Sequence, residues 1–144
     1  MAMLFRFDLL EGLSLFLRET AHEMDAFKAD FEPEIRPTEA RFGDFQANGA
    51  LPYAKRHGGN PRELATALAD HLRGKPDFDE SYEIEVAGPG FLNFRCRPNC
   101  LLKYLRHFSS GEQIRDGARE GVSPRRVTID FSSPNTAKQM HVGH

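Results

Sequence analysis

The chain has 144 residues, 40% of them apolar and 28% charged, with a formal net charge of −2. That is enough for one domain with its own hydrophobic core, and the balance is that of an ordinary globular protein. It argues against binding nucleic acid by bulk attraction alone, and no segment approaches the ~20 consecutive apolar residues of a membrane span. The opening MAMLFRFDLLEG has one early arginine followed by acids. It makes a poor signal peptide, so a cytoplasmic location is expected. Residues 9–29 carry Leu9, Leu10, Leu13, Phe16, Leu17, Met24 and Phe27 at spacings of three and four, which predicts an amphipathic helix. Pro33 and Pro37 then set an extended connector.

ARFGDFQANGALPYAKRHGG reads as a short strand and a turn around Gly43, then a helix from about Gln46 to Gly58 and Gly59. NPRELATALADHLRG follows with a full set of helix signals. Asn60 stands at the cap, Pro61 at the first position and Glu63 three residues past the cap. Leu64, Leu68 and Leu72 form its stripe and Gly74 its stop. SYEIEVAGPGFLNFRC alternates on both sides of AGPG, which predicts two strands and a tight turn. A further helix begins near Pro98 or Asn99, within which Cys100 lies close to Cys96. Two cysteines so placed are too few for a disulfide framework and have no zinc-type partners; reduced thiols in or near the core are expected, and no metal. SSGEQIRDGAREGVSP reads as a linker, and RRVTIDFSS as a buried strand.

The fold class expected from this order is α+β: helices packed on a small, mostly antiparallel sheet over residues 1–110, a linker over 111–125, and the first strand of another domain over 126–144. Charge is uneven. Residues 1–44 hold ten acids and five bases, residues 45–144 eleven acids and fourteen bases. Lys103, Arg106, Arg115, Arg119, Arg125 and Arg126 form a basic tract that suits either phosphates or plain solvent.

Chemistry-bearing residues are densest in SSPNTAKQMHVGH, at residues 132–144. A strand ahead of it puts polar side chains where open α/β sheets bind ligands. His141 and His144, three apart, would share one side of a helix whose free N–H groups suit a phosphate, and Gly143 would allow close approach. Paired imidazoles there can donate to oxygens that gain charge during reaction. A surface turn is the plain alternative.

DFSSPNTAKQMHVGH resembles the signature that opens the catalytic Rossmann domain of arginyl-tRNA synthetases. FGDFQANGALPYAKRHGGNPRELA resembles the same family's amino-terminal additional domain, and IEVAGPGFLNF another of its elements. The resemblance implies an arginine–tRNA ligase acting through an arginyl-adenylate. ATP with Mg2+, L-arginine and tRNA would be its substrates, and a monomer its expected state. By position, it implies that Ser133 and Asn135 bind arginine and that Lys138, His141, Gly143 and His144 serve ATP. Phe45, Gln46 and Asn48 would meet the tRNA elbow and read a D-loop base, the aromatic ring stacking while the amides bond its edge. The alternative for those three is a helix entry with Phe45 in the core. AGPG fits a turn better than a phosphate loop. Thr136 and Gln139 depart from the family pattern at positions with no assigned chemistry. The chain by itself is expected to be an amino-terminal fragment without cofactor, able to touch tRNA but not to form the adenylate. A free-standing RNA-binding module or a structural interaction domain remain open alternatives.

Overall fold

The structure, a computed structural model, describes residues 6–129 apart from 121 and 124. Among them run six helices and four strands: α1 (Leu9–His22), β1 (Ile35–Pro37), β2 (Phe45–Ala47), α2 (Ala50–His57), α3 (Pro61–Arg73), α4 (Pro76–Asp79), β3 (Tyr82–Ala87), β4 (Phe91–Cys96), α5 (Pro98–His107) and α6 (Gly111–Arg119). The sheet order is β1-β2-β4-β3 and every pairing is antiparallel. The expected α+β fold is therefore present.

Helices α1 and α3 form the layer against the sheet because their apolar residues recur at helical spacing. Leu13, Leu17 and Ala21 of α1 are fully buried, as are Ala65, Ala69 and Leu72 of α3. Asp8 starts α1, its carboxylate accepting from the Leu10 and Glu11 N–H groups at 2.9 and 3.3 Å. Asn60 starts α3 in the same way, accepting from Arg62 N–H at 2.9 Å while its amide donates to Glu63 at 3.2 Å. The sheet meets this layer through two rows read straight from the register. One is Ile35, Ala47, Leu92 and Val86; the other is Pro37, Phe45, Phe94 and Ile84. Phe78, on a short α4 that the sequence pattern does not announce, plugs the core between Phe16, Tyr82 and Phe94.

Several boundaries differ from those expected of the sequence. Helix α1 stops at His22, not residue 29. Beyond it the chain closes successive turns, Met24 N–H to Ala21 O and Phe27 N–H to Met24 O. These bring Phe27 and Phe31 onto Tyr53 with ring centroids 5.3 and 5.6 Å away. Apolar spacing of three and four is thus met by turns as well as by a helix. Helix α2 begins at Ala50, because Asn48 and Gly49 N–H groups bond back to Glu34 and Pro33 carbonyls and hold the chain alongside β1 up to the cap at Gly49. Gly49 is required there: a Cβ would lie 2.0 Å from Glu32 O.

The segment read as a linker holds α6, opened by a capping box between Ser110 and Gln113. Its Gly117 lies flush against the Phe108 ring, where a Cβ would sit 2.5 Å from Cε1. Of the strand expected at 126–131, residues 126–129 form no strand, with Val127 and Ile129 at 69% and 70% exposure. Residues 130 and 131 lie outside the described residues, as do Ser133, Asn135, Lys138, His141, Gly143 and His144.

Candidate nucleic-acid interface

The sheet has one face on the helices and one face free, and residue parity decides what each carries. Opposite the core rows stands a polar row, Arg36, Gln46, Asn93 and Glu85, one residue from each strand. Beside it are the register partners Glu83 and Arg95. The amides join into a string. Gln46 Nε2 donates to Asn93 Oδ1 at 2.8 Å. With its amide turned so that both ends find partners, Asn48 donates to Gln46 Oε1 at 3.2 Å and accepts from Arg36 Nε and Nη2 at 3.3 and 2.9 Å. Asn93 is 4% exposed, so its side chain is fixed by that bond and not by solvent.

The loop between β1 and β2 covers part of this row. Asp44 fastens its far end: its N–H donates to Phe94 O at 2.7 Å, and its carboxylate accepts from Cys96 N–H at 2.7 Å. Arg95 donates to Ala40 O at 3.2 Å and ties down the loop's middle. Gly43, at φ +122°, lets the turn press against β4, where a Cβ would be 2.5 Å from Phe94 O. The turn so formed lifts Phe42 out to 41% exposure, with the Arg41 guanidinium 4.5 Å over its ring. On one side of Phe42 lies a cleft of about 580 Å³ lined by Arg36, Pro37, Thr38, Glu39, Phe42 and Gln46. On the other is a smaller one of about 160 Å³, walled by Glu83, Glu85, Asn93 and Arg95.

The three residues singled out from sequence do not share a face. Gln46 and Asn48 meet on the free face, hydrogen-bonded to each other. Phe45 turns inward, half-buried against the core and level with Phe94. The aromatic ring that lines the cleft with Gln46 is Phe42, which sequence pattern alone does not single out. Its signal is the Gly43 beside it: a tight turn projects its neighbour outward. Asn93 is a second such residue, although the alternation of FLNF places it on the polar side. AGPG is a turn: Gly88 and Gly90 both have positive φ, and Gly90 rests on the first turn of α3. Cys96 is half-buried and Cys100 buried, both as free thiols.

The described residues thus define a two-layer α+β domain with one open, polar sheet face, notched on either side of an exposed aromatic ring. The family described as Arginyl tRNA synthetase N terminal domain matches residues 13–96, and the chain belongs to that family. Proteins named arginine–tRNA ligase are similar to it. Those of Thermosynechococcus vestitus, Parasynechococcus marenigrum and Rhodopirellula baltica are 45%, 44% and 41% identical over 78–81% of this chain. The chain spans 17–19% of the length of these relatives. No helix among the described residues is long and apolar enough to cross a membrane.

Proposed function

We propose that this chain is the amino-terminal, tRNA-contacting part of an arginine–tRNA ligase, and that the whole protein joins L-arginine to its tRNA through an arginyl-adenylate at the expense of ATP. The observation that carries this reading is the 41–45% identity to enzymes of that name over about four-fifths of the chain. Residues 1–110 would form the additional domain, 111–125 the connection and 126–144 the start of the catalytic domain. Ser133 and Asn135 would bind arginine; Lys138, His141, Gly143 and His144 would face ATP and its Mg2+. The chain alone would contact tRNA without making adenylate, since its match spans only 19% of the relative's length. A cytoplasmic monomer fits this role.

Within the domain, the free sheet face is the surface that meets the D-loop. A base turned out of the loop stacks on Phe42, and the amides of Gln46 and Asn48 bond its edge. Placement of Phe45 against the core moves the stacking role from that residue to Phe42. Asn93 and Arg36 hold the two amides in place, so little side-chain freedom is lost on binding.

The test is a fluorescence-anisotropy titration of the chain with an arginine-accepting tRNA at low salt. Stacking of one base contributes about 1–3 kcal/mol, so Phe42→Ala is expected to weaken binding roughly 5- to 150-fold. Its melting temperature should stay near that of the unaltered chain, because the ring is at the surface. Phe45→Ala is expected to do the reverse, lowering stability first. Absence of tRNA binding at low salt, where phosphate contacts are strongest, would overturn the reading.

A further inference from the structure

We propose that Arg36 is a phosphate-binding residue, which takes the RNA backbone beside the base held at Phe42; this rests on the reading of the free face as the tRNA surface. Several arginines elsewhere on this domain have carboxylate partners: Arg18 with Glu32, Arg41 with Glu39, Arg56 with Asp30, Arg73 with Asp70 and Arg97 with Glu83. Arg36 differs. Its Nε and Nη2 are engaged by the neutral amide oxygen of Asn48, and it is in no ion pair among the described residues. Its charge is held in position without being cancelled. The guanidinium keeps donors to spare after those two bonds, and its planar fork matches a phosphate.

The surroundings choose between the two sides of Phe42. Arg95 on the far side is likewise held by a neutral acceptor, the Ala40 carbonyl, but its cleft also holds Glu85, which is in no ion pair among the described residues and repels an anion, beside Glu83, which Arg97 pairs. On the near side the one acid is Glu39, already paired with Arg41 at 2.9 Å. That cleft is also the larger, about 580 Å³ against about 160 Å³, and holds Gln46 on its wall. A nucleotide with its base on Phe42 would therefore lay its phosphate on the Arg36 side. Asn48 then acts twice, offering its amide to Gln46 and aiming the arginine.

The experiment measures the salt dependence of binding between the chain and an arginine-accepting tRNA transcript, from about 50 to about 200 mM KCl. Losing one phosphate contact on a single-stranded nucleotide should make the slope of log K against log[KCl] shallower by about 0.7. Arg36→Gln is expected to show that change, and Arg36→Lys to keep the original slope. The residue is exposed at a strand edge, so both variants should melt with the unaltered chain; circular dichroism checks this. An unchanged slope for Arg36→Gln overturns the proposal, even if affinity falls evenly at every salt concentration, because that pattern marks a residue that only positions Asn48. A transcript lacking the D-loop base separates this from the wider reading. If base removal has no effect while the Arg36→Gln slope shifts, base reading fails and the phosphate contact stands. If base removal weakens binding while the slope holds, the reverse is true.

Discussion

The hairpin turn Gly88-Pro89-Gly90 and the first turn of α3 lie 26 residues apart in sequence at Arg62 and Gly88, yet they are fitted to one another. Gly90 sits at φ +134°, and a Cβ on it would be 2.7 Å from Pro61 O, 2.8 Å from Pro61 C and 3.1 Å from Arg62 N. All three atoms are backbone, so no side chain can swing aside. Arg62 completes the joint by donating to Gly88 O. Gly90→Ala must therefore impose positive-φ strain of about 1–2 kcal/mol and push the turn off α3. The displaced turn also loses the Arg62 bond, about 1 kcal/mol at this exposed position. The reduced freedom of the unfolded chain offsets about 0.4–1 kcal/mol.

The net loss is about 1–2.5 kcal/mol, which at roughly 4 °C per kcal/mol is a fall of about 4–10 °C in melting temperature. Gly58→Ala supplies the control. Gly58 also has positive φ, +81°, but a Cβ there meets nothing within 4 Å. It should carry the strain less the same offset, a net loss of about 0–1.5 kcal/mol, and melt higher than Gly90→Ala. Thermal unfolding followed by far-ultraviolet circular dichroism reads both. If Gly90→Ala melts no lower than Gly58→Ala, the hairpin and the helix are not fitted together and the joint contributes nothing.

Tyr53→Phe keeps the aromatic cluster with Phe27 and Phe31 but removes the hydroxyl that accepts from Lys28 N–H at 2.8 Å and donates to Ala26 O at 3.3 Å. The orphaned backbone groups should lower stability by about 1–2 kcal/mol in urea unfolding, and an unchanged midpoint would refute that role. Stability should also fall in acid. Glu23 is held below its ordinary pKa by hydrogen bonds from Lys75 first and His71 second, Asp30 by His57, and Glu80 by Lys103. Carboxyls whose pKa is depressed by folding stabilise the fold above their unfolded values and lose that contribution as pH drops through the folded ones. Melting temperature should be level from neutral pH to about 5 and decline below about 4.5, with a shallower decline in Glu23→Gln. A decline that begins near pH 6.5 would point to histidine instead.

Much of the helical layer was legible because its signals are local. Asn60, Pro61 and Glu63 announce α3 within four residues, and Leu64, Leu68 and Leu72 repeat at the helical period. The β3–β4 hairpin was legible for the same reason, alternation on both sides of a glycine turn. Misses came where long-range contacts overrode local pattern. Met24 and Phe27 continue the apolar rhythm of α1, but Tyr53 captures Lys28 N–H and the chain turns instead. Helix α6 had a readable capping box in Ser110 and Gln113, masked by Gly111 and Gly117; the second glycine is explained by the Phe108 ring against it, a contact that sequence does not display. The roles expected of Ser133, Asn135 and Lys138 come from resemblance, and those of His141, Gly143 and His144 from resemblance together with their spacing.

The site depended on one choice of period. Read as a helix entry, FQAN puts Phe45 in the core and leaves Gln46 and Asn48 to cap backbone groups. Read as a strand, the same four residues separate: Phe45 and Ala47 turn to the core, Gln46 and Asn48 to the free face. The hydrogen bonds of Asn48 and Gly49 to Glu34 and Pro33 settle the period in favour of the strand. Phe45 is turned from the amides in both cases, and the turn at Gly43 supplies a ring in Phe42. The strand keeps Gln46 and Asn48 on the free face, bonded to each other, and the ring beside them is Phe42. A surface built from two amides and one ring thus draws its ring from the β1–β2 loop and its amides from the strand that follows, with Asp44 between them pinned to β4 at Cys96 and Phe94.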